Sequence, residues 1–144
     1  MIRPIKRMAA GDQGKDVMGL THVTVKVADV GKQGSPFHAD FLVDTGAVDC
    51  MAPRDKLEAA GIQVEGKQIY ETATGATVEY EVGFARFTVL GDQTISKVIF
   101  GPAGCEPLLG VLALEGLGLV VDPLTQELRR LKAIPLKLNI VASH

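Results

Sequence analysis

Hydrophobic and polar positions alternate from Thr21 onward, where Val23, Val25 and Val27 are separated by Thr24 and Lys26. A two-residue period of this kind predicts a half-buried strand. Gly31, Gly34, Ser35 and Pro36 turn the chain, and the run Phe37 to Val43 returns as a second strand, so the two form a hairpin. That run stops abruptly at Asp44, Thr45, Gly46 and Ala47. Pro53 to Gly61 places proline ahead of good helix formers and glycine behind them, which predicts a short surface helix. Ile62, Val64 and the run to Tyr70 read as extended, and Thr72, Ala73, Thr74, Gly75 and Ala76 are small and polar enough for a hairpin tip. Val78, Tyr80, Val82 and Phe84 then alternate with Glu79 and Glu81, but the later apolar positions are Phe87 and Val89. This change of phase predicts a bulge between Gly83 and Arg86.

Gly91 and Asp92 turn the chain into a strand from Thr94 to Phe100, followed by a loop at Gly101 to Gly104. Leu108, Leu109 and Gly110 make a short apolar element that leads into a helix-like run from Val111 to Gly116. Leu119 to Val121 reads as a buried strand, Asp122 and Pro123 as a turn, and Thr125 to Leu131 as a returning extended segment. The pattern implies one domain over residues 18–136, a flexible N-terminal arm over 1–17 and a C-terminal tail over 137–144.

A length of 144 residues and 47% hydrophobic content suit one folded domain with a sizeable core. The net charge of −2 leaves no basic footprint, so nucleic acid is not an expected partner. No apolar run approaches the length of a membrane span, and Met1 to Arg7 lack the apolar stretch of a secretory signal, so the expected location is cytoplasmic with no membrane partner. Cys50 and Cys105 are too few for a disulfide framework. With His22, His38 and His144 they show no metal-ligand spacing, so neither a metal nor another cofactor is expected. A Cys–His nucleophile is the minor reading; buried or free thiols and hydrogen-bonded or solvated strand histidines are the main one.

The chemistry concentrates at Phe41-Leu42-Val43-Asp44-Thr45-Gly46-Ala47. A buried strand that ends in an acid delivers one carboxyl group into a cleft, where desolvation raises its pKa unless neighbours stabilise the anion. Thr45 offers a hydroxyl, and Gly46 permits backbone angles and a close approach that a side chain forbids. An Asp-Thr-Gly tripeptide standing alone also fits an ordinary turn after a strand.

Together with Leu108-Leu109-Gly110 downstream and the flap-like segment Tyr70 to Tyr80, these residues resemble the retropepsin-like aspartic proteases, in particular small bacterial single-domain members. The resemblance spans roughly Met18 to Leu131. It implies an all-β, closed, barrel-like fold of short strands with a flap hairpin and one or two short helices, forming a two-fold dimer. It also implies Asp44 as the catalytic residue, with Thr45, Gly46, Ala47, Leu108, Leu109 and Gly110 supporting its loop. Thr72, Ala73, Thr74, Gly75 and Ala76 would then cover a peptide or protein substrate. Asp49 joins them as a candidate contact to substrate backbone or a nearby cation, although an exposed, solvated acid is the main reading of its residue type and position.

There is one Asp-Thr-Gly and no internal repeat. Hydrolysis by carboxyl groups alone needs two, so the resemblance implies an endopeptidase that pairs Asp44 with its own copy across a homodimer axis. Better activity at acidic to near-neutral pH than in alkali would follow. Many viral relatives join the residues after the two motif elements by a charged pair; here these are Val48 and Val111, which leaves no unpaired buried charge but removes one support of the dimer. The alternatives are a non-catalytic dimeric peptide-binding module on the same fold, and an assembly domain in which Asp44 caps a turn.

Overall fold

A computed structural model describes residues 21–134 and 136 of the protein, together with the backbone of Ile2–Pro4. Its elements in chain order are β1 (Ile2–Pro4), β2 (Thr21–Ala28), β3 (Phe37–Val43), β4 (Cys50–Pro53), α1 (Arg54–Ala59), β5 (Gly66–Glu71), β6 (Thr77–Val89), β7 (Asp92–Gly101), β8 (Leu108–Leu109), α2 (Val111–Leu117), β9 (Leu119–Val121) and β10 (Leu128–Arg130). The fold is mostly β, with two short helices among the described residues.

Alternation decides what β2 does. Val23, Val25 and Val27 are fully buried, whereas Thr24 and Lys26 face solvent. Each valine contributes about 1.5 to 3 kcal/mol by leaving water, which anchors the register against β3 from His22↔Leu42 to Val27↔Phe37. The sheet runs β1-β2-β3-β8-β4-β7-β6-β5, and a further pairing of β2 with β6 closes β2, β3, β8, β4, β7 and β6 into a ring. Inside it Phe41 meets Phe87 edge to face with centroids 6.1 Å apart, among Leu57, Val89, Val98 and Leu109. β5 lies outside the ring as the second arm of a hairpin with β6, and β9 with β10 forms a separate pair.

The expected bulge in β6 is absent. Its register with β7 is unbroken from Val82↔Ile99 to Val89↔Asp92, and its register with β5 is unbroken from Gly66↔Val82 to Glu71↔Thr77. The apolar phase changes because the strand changes surroundings. Its first half pairs with β5 in the projecting hairpin, while its second half crosses the ring and pairs with β2 through Ala28↔Arg86 to Lys26↔Thr88. There Ala85, Phe87 and Val89 turn inward, and Phe84 is left exposed on the opposite face.

The other elements follow their local signals. α1 starts after Pro53, buries Leu57 and gives way to Gly61 at φ 87°. α2 starts at Gly110, buries Ala113, Leu114 and Leu117, and ends at Gly118 in the left-handed region. β4 has no alternation that marks it as a strand, and its pairing with β7 and β8 makes it one. Ile2–Pro4, inside the sequence-predicted arm, pairs antiparallel with Thr21–Val23 of β2; the rest of that arm and the tail over 137–144 lie outside the described residues.

The turn between β2 and β3 carries a titratable support. Asp29 accepts backbone hydrogen bonds from Gly34 at 2.9 Å and Gln33 at 3.1 Å, and these donors hold its carboxyl below the usual carboxylate value. A lowered folded pKa means stabilisation that is present above the unfolded pKa and lost as pH falls through the folded one. The melting temperature of the wild type should therefore fall more steeply below about pH 4 than that of Asp29→Asn. Parallel curves for the two proteins would refute the contribution.

Candidate active site

β3 runs parallel to β8, with Leu42 beside Leu108 and Val43 beside Leu109. The chain leaves the sheet at Asp44 and returns as β4 on the other side of β8, where Met51 pairs antiparallel with Leu108. The two-residue strand β8 is thus gripped on both edges by the segments that enter and leave the Asp-Thr-Gly loop. Backbone bonds complete the grip: Leu42 N–H donates to Pro107 at 2.9 Å, Asp44 N–H to Leu109 at 3.0 Å, Val111 N–H to Ala47 at 2.8 Å and Leu112 N–H to Val48 at 3.2 Å.

Inside the loop, Ala47 N–H donates to the Asp44 carbonyl at 3.1 Å, and Gly46 N–H donates to Asp44 Oδ1 at 3.0 Å. The carboxyl group is oriented by its own loop. Asp44 and Ala47 are half-buried, while Thr45 and Gly46 are exposed. Leu109 is fully buried below them and Leu108 is half-buried. Gly110 sits where a Cβ would lie 2.6 Å from the Asp49 carbonyl group and 2.7 Å from the Val48 oxygen, so bulk is excluded by backbone. The sequence-predicted support residues therefore converge on the Asp44 loop.

Val48 is 56% exposed and Val111 half-buried, and the connection between loop and helix at this point is made by the two backbone bonds from Val111 and Leu112. A side-chain ion pair is not needed to hold the loop within one protomer.

Thr72 to Ala76 form the exposed tip of the β5–β6 hairpin. Thr72 N–H bonds the Ala76 carbonyl at 2.7 Å and Gly75, at φ 90°, bonds back to Thr72 at 2.9 Å. Between this hairpin and the Asp44 loop lies a cavity of about 560 Å³. Gly46, Ala47, Val48 and Asp49 form one wall, and Ile69 to Thr72 form the facing one. The flap-like hairpin thus borders a cleft whose lining starts at Gly46, two residues after Asp44.

Asp49 is not a solvated acid. It is 6% exposed, and its Oδ2 accepts a hydrogen bond from the Tyr70 hydroxyl at 2.7 Å. Burial, then the bond to Asp49 and its negative charge, push the Tyr70 phenol above its ordinary pKa, so it remains a donor. Sequence reasoning missed Tyr70 as a site residue. The available signal was an amphipathic ring on a largely exposed strand, whose hydroxyl needs a partner wherever the ring is covered.

The cysteines do not offer a competing nucleophile. Cys50 is buried, its sulfur accepts from Gly110 N–H at 3.4 Å, and burial pushes its thiol up to about 12. Burial also raises Cys105, with the charge of Asp55 adding to it. A thiol needs the opposite environment to react as a thiolate. His22 bonds Glu106 at 2.6 Å, tying β2 to the loop before β8, and His38 is exposed. Among the described residues no group of three or more His, Cys, Asp or Glu side chains is placed to hold a metal ion.

No curated protein matches the chain in a sequence comparison. A family model described as aspartyl protease matches residues 23–112, from β2 through the Asp-Thr-Gly loop and the flap hairpin to the first turn of α2. The chain belongs to the aspartyl protease family of the retropepsin-like clan.

Proposed function

We propose that the protein is an endopeptidase that works as a two-fold homodimer, with the Asp44 carboxyl groups of both copies facing one water. The observation that carries this reading is the half-buried Asp44, held by its loop beside a cleft that the flap-like hairpin borders. One chain brings one such aspartate, and a two-fold interface brings the second.

Two carboxyl groups at short range do not both ionise cheaply, so they share a proton and titrate as a unit. The ionised member takes a proton from water as that water attacks the scissile carbonyl carbon. The protonated member donates to the carbonyl oxygen. Gly46 N–H on Asp44 Oδ1 fixes the direction in which the carboxyl faces. Thr45 and the Thr74–Gly75 tip are exposed in the single chain; in this reading, which the family resemblance supports, Thr45 hydrogen-bonds across the axis and the tip closes over the peptide. The exposed faces of Val48 and Leu112, 56% and 49% accessible, flank the loop and supply apolar surface for the second copy.

The test is cleavage of a diverse peptide mixture over a range of protein concentrations, with the oligomeric state measured in each sample. Specific activity should rise in proportion to the dimer fraction. Activity that stays constant while the protein dissociates would refute a shared site, and a dimer that binds peptides without cutting them would favour the binding module.

A further inference from the structure

The cavity between the Asp44 loop and the flap hairpin combines two kinds of wall. Val48, Met51, Ile69, Val78, Ile99 and Leu108 make it largely apolar, while Asp49 and Glu71 bring acidic groups to it. None of the described residues that line it is a lysine, arginine or histidine. Lys97 stands nearby with its ammonium on Gln68 Oε1 at 2.9 Å, on an exposed bond rather than on Asp49.

Asp49 is the unusual member. A carboxyl group that is 6% exposed needs strong donors, and the donor it has is the neutral hydroxyl of Tyr70, which belongs to the flap strand β5. A cationic side chain is a better partner than a phenol, because it brings an opposite charge to the buried carboxylate as well as a hydrogen bond, whereas the phenol supplies the hydrogen bond and leaves the charge unpaired. Tyr70 is half-buried on a strand whose other residues are exposed, so its hydroxyl is a donor that an incoming group can displace.

We propose that Asp49 and Tyr70 form a specificity pair: the cavity takes a substrate side chain with an apolar stem and a cationic end, lysine or arginine, whose donor replaces the Tyr70 hydroxyl on Asp49. The stem lies along the apolar wall and the charge reaches the acid. The cavity starts at Gly46, whose N–H bonds Asp44, so this side chain belongs to a residue close to the bond that is cut. The proposal rests on the peptidase reading for its position relative to cleavage, but not for the binding of the side chain.

The test uses two peptide series identical except for lysine or its uncharged analogue norleucine at each position near the cleaved bond. Wild type should favour lysine at one position by roughly ten- to hundred-fold in kcat/KM. Asp49→Asn should abolish that preference. Tyr70→Phe should keep it or increase it, lowering kcat/KM for norleucine peptides while sparing the lysine ones, because only a cationic substrate then supplies Asp49 with its donor. A purely structural role for Tyr70 would lower both series equally.

Peptide binding to Asp44→Asn, read by fluorescence anisotropy, separates this proposal from the catalytic reading. If wild type cuts nothing but lysine peptides bind Asp44→Asn more tightly than norleucine ones, and the added substitution Asp49→Asn removes the difference, the pair stands and the peptidase reading falls. Equal treatment of the two series, a preference that survives Asp49→Asn, or no binding of either series overturns the pair.

Discussion

Asp44→Asn should reduce peptide cleavage by roughly 10³-fold or more while leaving fold and assembly unchanged. The amide keeps an oxygen for the Gly46 N–H, so the one side-chain bond inside the loop survives. The rest of the loop hangs on backbone groups, Asp44 N–H on Leu109 and Val111 N–H on Ala47, which the substitution does not touch. What disappears is a group able to take and return a proton. Circular dichroism and sedimentation of wild type and variant should coincide.

The same variant tests whether the site is shared. Mixed in equal amounts and allowed to exchange, wild type and Asp44→Asn form wild-type homodimers in only about a quarter of the pairs. If the mixed dimer has one ionisable aspartate and no partner for it, activity should fall to about that fraction. An activity of half would mean that each protomer works alone, and the two-fold reading would then be wrong.

Gly110→Ala is expected to damage both stability and activity, and for a different reason. The new methyl group would press on the carbonyls of Val48 and Asp49, which are main-chain atoms and cannot swing aside. Overpacking of this kind costs about 1 to 3 kcal/mol. The strain enters the segment that joins Asp44 to Asp49, and a shift of about 1 Å in a catalytic group lowers rate on the order of 10²-fold. Cleavage should therefore fall by more than the loss of folded protein explains.

Gly66→Ala is the control, because a Cβ there meets nothing within 4 Å and the backbone needs no positive φ. Its melting temperature and cleavage rate should stay near wild type, within about 0.5 kcal/mol in stability. A Gly110→Ala protein that behaves like Gly66→Ala would show that the loop has room the structure does not give it.

Much of the architecture was legible because it rests on local periodicity. Val23, Val25 and Val27 announce β2, Pro53 and Gly61 bracket α1, and the small polar run from Thr72 to Ala76 marks a hairpin tip. The family was legible as well, since Phe41 to Ala47 and Leu108 to Gly110 are short, contiguous motifs, and the family match over residues 23–112 includes both. These features depend on neighbours in the chain, and one sequence displays its neighbours.

Other features depend on residues far apart in the chain that pack together, and there the sequence was silent or misleading. The phase change in β6 reads as a bulge until the pairing with β2 shows that the strand exchanges one environment for another. β4 has no strand signature and exists because β7 and β8 leave a slot for it. Asp49 fits a solvated acid by residue type, yet lies buried beneath Tyr70, 21 positions away, because the flap strand folds back over the loop. The sequence by itself determined which residue types reach the loop and the hairpin tip. Only the tertiary structure decided which of them are covered and which donor each buried acid receives, because desolvation and hydrogen-bond partners are set by strands that meet across the ring rather than by residues adjacent in the chain.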